Sequence, residues 1–101
     1  MYVSRLNFYT LPGKTGEVEQ QLKELRAMVA RQAGAVVRIL HTHFASLGAP
    51  DLVFEQEAAD LPTLERQIGS ITESPAFQDW SRQTSALLLQ SPKREIYLVI
   101  E

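Results

Sequence analysis

The spacing of apolar residues divides the chain into elements. Tyr2 to Leu11 alternates, with Leu6 and Phe8 on one side and Arg5, Asn7 and Tyr9 on the other, and this period of two predicts a strand that Pro12-Gly13 ends. From Thr15 the period becomes helical. Val18, Leu22, Leu25 and Val29 fall on one stripe, Thr15 is the expected N-cap, and Glu17 and Glu19 suit the positive end of the helix dipole. Gly34 is placed to stop this helix. Val36–Phe44 is rich in β-branched and aromatic residues and predicts a second strand; Asp51–Glu57 predicts a third, returning after the Gly/Pro break at Ser46–Pro50. Asp60-Leu61-Pro62 opens a helix with Leu61, Leu64, Ile68 and Ile71 on its apolar stripe, and Gly69 is expected to keep it short. Ser74-Pro75 repeats the start signal, and Phe77, Trp80, Thr84, Leu87 and Leu88 form a new stripe, so the second helical region is expected to break near Ser74. Ser91-Pro92 ends it, and Glu95–Ile100 is the last predicted strand.

The order is β-α-β-β-α-α-β. It predicts an α+β, ferredoxin-like βαββαβ domain spanning residues 1–101, with a four-stranded antiparallel sheet and all helices on one face. The other face then has no cover within the chain. Register in the hairpin Val36–Glu57 decides which residues meet. Setting Leu47 against Asp51 places His43 opposite Glu55 and His41 opposite Glu57, and gathers Leu40, Phe44, Leu52 and Phe54 toward the helices. The face turned away would then carry Arg5, Asn7, Tyr9, Ile39, His41, His43, Val53, Glu55, Glu57, Tyr97 and Val99, with Arg38 left as a misfit on the apolar side. That face is too apolar to be simply wet and too polar for a core, and reads as half of a homodimer interface formed by Arg5, His41, His43, Glu55, Glu57 and Tyr97.

Composition narrows the partners. One hundred and one residues with 45% hydrophobic and 22% charged content describe one small globular domain, a size at which burial leaves a thin margin that dimerisation often widens. The net charge is −2 and the basic residues are dispersed, so neither nucleic acid nor an anionic membrane is expected as a partner. There is no cysteine, hence no disulfide, thiolate nucleophile or zinc–thiolate site. Met1-Tyr2-Val3-Ser4-Arg5 does not start a charged-then-apolar signal, and no apolar run has membrane-spanning length, so a cytoplasmic location is the expectation. No Gly-rich phosphate loop, Gly-x-Ser-x-Gly elbow or His-Glu-x-x-His helix occurs.

The strand order and uncovered face resemble the dimeric α/β-barrel superfamily. Within it, Tyr9-Thr10-Leu11-Pro12-Gly13 and Ser74-Pro75-Ala76-Phe77 resemble the strand exit and helix start of NIPSNAP proteins, although Asn7 stands where that family usually has an arginine. The resemblance implies a dimer with a cavity between sheet and helices, and no settled activity. Cofactor-free monooxygenases and haem-degrading enzymes share the superfamily. Asn7 matches the asparagine of the haem-degrading members, but Ile71 and Ser81 stand where their tryptophan and ligand histidine would be, so haem is not implied.

His41 and His43, two apart on one strand and oriented by opposite carboxylates, are the candidate catalytic bases; with no third histidine or cysteine no metal is expected, and no cofactor. A structural His–Glu pair is the competing role. Asn7, Tyr9 and Trp80 are the candidate ligand-binding residues, Trp80 also suiting the core. Three functions follow. The first is a homodimer that binds a small hydrophobic or aromatic ligand. The second is a cofactor-independent monooxygenase or isomerase acting on an aromatic or polyketide-like substrate. The third is a purely structural interaction dimer.

Overall fold

A computed structural model describes residues 1–101. The elements run β1 (Tyr2–Phe8), α1 (Thr15–Gln32), β2 (Val36–His41), β3 (Leu52–Ala58), α2 (Leu61–Thr72), α3 (Pro75–Ser85) and β4 (Lys93–Leu98). The strands form one antiparallel sheet in the order β2-β3-β1-β4, the ferredoxin-like arrangement.

Local signals account for most boundaries. Gly34 adopts φ +61° just past α1, and its N–H and that of Ala33 both donate to the Val29 carbonyl, closing the last turn. The Asp60 side chain accepts from the Thr63 N–H and the Ser74 side chain from the Phe77 N–H, so each helix after the hairpin carries its own N-cap followed by proline. The expected break near Ser74 is therefore present. Gly69 does not curtail α2, which continues through it for another turn's worth of residues. At α1 the expected cap is displaced: Lys14 occupies the N-cap position without a side-chain bond, and the Thr15 hydroxyl instead pairs with that of Thr10 at 2.7 Å.

The core lies between helices and sheet. Phe8, Leu22, Leu52, Val18 and Val29 are fully enclosed there, with Phe54, Ile71 and Trp80 beside them. Trp80 meets Phe8 edge-on at 6.3 Å between ring centres, stacks on Phe77 at 5.5 Å, and its Nε1–H donates to the Gln21 carbonyl at 2.6 Å. The expected cavity between sheet and helices is thus filled by side chains where α1, α2 and α3 cover the sheet.

The hairpin differs from expectation in length and register. β2 leaves the sheet after His41, and residues 42–51 form a loop in which Phe44 and Leu47 are wholly solvent-exposed. The Thr42 N–H donates to the Asp51 carbonyl, so Thr42 stands where Leu47 was expected, a shift of five residues. An odd shift inverts the faces of the strand. Arg38 is opposite Glu55, Ile39 opposite Phe54, and His41 opposite Leu52 on the helix side. The expected pairs His43–Glu55 and His41–Glu57 do not form. The misfit of Arg38 disappears, because it belongs to the uncovered face.

Candidate functional site

With this register the uncovered face consists of three rows that cross all four strands. The middle row is Arg38, Glu55, Arg5 and Glu95, one residue from each strand, alternating in charge. On one side of it run Leu40, Val53, Asn7 and Lys93, and on the other Val36, Glu57, Val3 and Tyr97. Pleating puts these positions on one side because paired residues share a face and successive residues alternate.

Glu55 is the pivot. It is only 5% exposed, its Oε1 accepts from Arg5 Nε at 3.0 Å, and its Oε2 accepts from Arg38 Nε at 2.8 Å and also from Arg38 Nη2. Burial pushes the Glu55 carboxyl up, but the hydrogen bonds and charges of Arg38 and Arg5 outweigh it and hold the group below the usual carboxylate range. Asn7 Nδ2 donates to Glu95 Oε1 at 2.7 Å, and the Arg5 guanidinium sits 5.7 Å from the Tyr97 ring centre. Lys93 lies 5.8 Å from the ring centre of Tyr9, beyond the end of β1. Two shallow concavities follow these rows. One of about 440 Å³ is lined by Val3, Arg5, Arg38, Glu55 and Tyr97 among others; one of about 700 Å³, at the end of the sheet, is lined by Asn7, Tyr9, Pro50, Lys93 and Glu95 among others.

The lowered pKa of Glu55 ties part of the fold's stability to its ionised form. Its contribution to stability is present above the unfolded carboxylate pKa and is lost as pH falls through the lower folded value. Both arginines keep contact with water, which moderates the effect. Replacing Glu55 with Gln is expected to cost about 1–2 kcal/mol at neutral pH, and the gap to wild type in chemical denaturation should narrow below about pH 4. A gap that stays constant into acid would show that the charge of Glu55 contributes nothing.

The sequence-derived candidates divide accordingly. Arg5, Glu55, Glu57 and Tyr97 share the uncovered face as expected. His41 does not: its Nδ1 lies 3.1 Å from Glu19 Oε1 of α1, on the helix side. His43 is an exposed loop residue, and neither histidine lines a concavity. Asn7 and Tyr9 line the same concavity, whereas Trp80 lies in the core on the opposite side of the sheet. No three His, Asp or Glu side chains come together as metal ligands. Arg38, Lys93 and Glu95 were not singled out from the sequence as site residues. The signal for Arg38 was its poor fit on the apolar side, which a register opposing it to Glu55 removes.

This architecture is a ferredoxin-like fold, and solved structures of NIPSNAP domain proteins and of a cofactor-independent oxygenase share it. A NIPSNAP domain protein from Burkholderia xenovorans superimposes with a TM-score of 0.77 at 16% identity, covering 99% of this chain and 95% of that one. A NIPSNAP-like domain protein from the same organism gives 0.76 at 18% identity, over 98% and 84%. The cofactor-independent oxygenase SnoaB from Streptomyces nogalater gives 0.69 at 20% identity, over 99% and 94%. At these identities the likeness is one of fold. No protein-family model and no curated protein matches the sequence. No helix is long and apolar enough to cross a membrane.

Proposed function

We propose that the protein is a homodimer that binds a small molecule, and that the uncovered sheet face is where its two copies meet. The row Arg38, Glu55, Arg5 and Glu95 carries this reading. Read from either end it alternates in sign, so turned about a two-fold axis it meets itself with each guanidinium opposite a carboxylate. That is the self-complementarity an isologous interface requires. The face as a whole supports it, with three cations (Arg5, Arg38, Lys93) against three carboxylates (Glu55, Glu57, Glu95). Val3, Val36, Leu40, Val53 and Tyr97 supply the apolar area. Sheets pack face to face at about 10 Å, close enough for both layers to be desolvated together.

Small-molecule binding is supported by the fold shared with SnoaB, a cofactor-independent oxygenase, and by the concavity lined by Asn7 and Tyr9. The oxygenase and isomerase reading required His41 or His43 as a base within a cavity, and the positions of the two histidines give it no support. The test is sedimentation of the wild-type protein across micromolar concentrations, where a dimer of two 101-residue chains is expected. A monomer throughout that range would remove the dimer.

A further inference from the structure

The helices close one side of the sheet over β1, β2 and β3, but no helix packs on β4. The residues β4 turns to the helix side are Arg94, Ile96 and Leu98, which stand opposite Leu6, Ser4 and Tyr2. Ile96 is 43% and Leu98 55% exposed, so a half-exposed apolar strip runs along the strand with no helix above it. At its head, Arg94 Nη1 donates to the hydroxyl of Ser4 at 2.6 Å, and Ser4 is completely buried. Arg94 forms no ion pair: the charged contacts of the chain engage Arg5, Arg38, Arg82, Lys14, Lys23 and His41 instead. Arg94, like the rest of β4, is solvent-exposed, and desolvation alone lowers the basicity of its guanidinium, with no carboxylate acting the other way.

A guanidinium fixed in direction by a buried hydroxyl, lacking a counterion and set at one end of an apolar strip, has a definite complement. Its planar fork fits a carboxylate through two parallel hydrogen bonds. From Arg94 to Leu98 the strand extends about 13 Å, room for a medium-length acyl or aryl chain. We propose that the helix-side strip of β4 binds an apolar molecule ending in a carboxylate, with Arg94 pairing the carboxylate, Ser4 holding Arg94 in place, and Ile96 and Leu98 carrying the tail. The inference rests on the small-molecule half of the function proposed above and places the ligand along β4, next to the concavity of Asn7 and Tyr9, which Arg94 also lines. It is independent of the dimer, because the strip and the charged row lie on opposite faces of β4.

The experiment is an amide NMR titration of the full chain with decanoate, with decanol as the uncharged probe of equal length. Decanoate is expected to shift Ser4, Arg94, Ile96 and Leu98 saturably, and Arg94→Gln to weaken it at least about tenfold, with Arg94→Lys in between. Decanol should bind weakly and equally to wild type and variants. Equal decanoate affinity for wild type and Arg94→Gln, or shifts centred on Val3 and Tyr97, would overturn the assigned site while leaving small-molecule binding in place. The absence of saturable shifts with either probe would count against small-molecule binding itself, and the site with it. Sedimentation of Ile96→Glu provides the remaining outcome: conversion of a wild-type dimer to monomer would mean that a second copy covers the strip, and the ligand site would fall.

Discussion

Replacing Trp80 with alanine is expected to lower stability by about 3–5 kcal/mol, the cost of emptying a large aromatic position in a packed core. Trp80 is 6% exposed and packed by Phe8 and Phe77, so the cavity left behind has walls on two sides that cannot easily collapse. Domains of this size have only about 5–15 kcal/mol in total, and each kcal/mol moves the melting temperature by about 4–8 °C, so the midpoint should fall by at least about 12 °C. Trp80→Phe keeps an aromatic ring against Phe8 and Phe77 and loses the hydrogen bond to the Gln21 carbonyl and part of the indole volume, so it should cost less. Thermal denaturation checks both. A Trp80→Ala protein that melts within a few degrees of wild type would make this residue the wall of a pocket rather than part of the core.

The second large effect is expected on association. Val3 stands between Glu57 and Tyr97 in a row of the uncovered face, so Val3→Glu adds a carboxylate directly opposite Glu57. In a dimer closed through this face, the substitution breaks the balance of three cations and three carboxylates and places an unpaired charge under the other sheet. Like charges brought together at an interface cost several kcal/mol, enough to raise the dimer dissociation constant at least about 100-fold. Val3→Glu should therefore sediment as a monomer at concentrations where wild type is a dimer, while keeping its circular dichroism spectrum. Ile96→Glu, on the opposite side of β4, should stay dimeric. A dimer that survives Val3→Glu would move the interface elsewhere.

Element types were legible in the sequence wherever the cause is local. Val18, Leu22, Leu25 and Val29 repeat with the helical period, Gly34 supplies the positive φ that ends α1, and Ser74-Pro75 carries both its cap and its fixed φ. Register is not local. Val36–Phe44 has strand-like composition to its end, yet the chain leaves the sheet at His41, and Phe44 takes no part in the core. A pairing that buries Phe44 differs from the one the chain adopts, in which Phe44 is exposed. The pairing actually adopted puts Arg38 and Arg5 on either side of Glu55, a three-strand contact that no window of sequence contains. The faces of β1, β3 and β4 nevertheless match the expectation, with Leu6, Phe8, Leu52 and Phe54 all turned toward the helices. The histidines changed sides with β2. The openness of β4 was hidden for a related reason: its Ile96 and Leu98 look like core residues until the positions of the helices are known.

Because Tyr2 lies opposite Leu98, β1, one of the two central strands of the sheet, waits for β4. During synthesis β1 can pair with β3 once the hairpin has emerged, but its other edge keeps a row of unsatisfied N–H and C=O groups until Lys93–Leu98 is available. Closing that pair joins residues nearly a full chain length apart, a contact with a high loop-closure cost and a correspondingly late place in folding. A nascent chain stalled before β4 would thus present β1 as a ready template for another chain, and the speed with which β4 docks sets how long that exposure lasts.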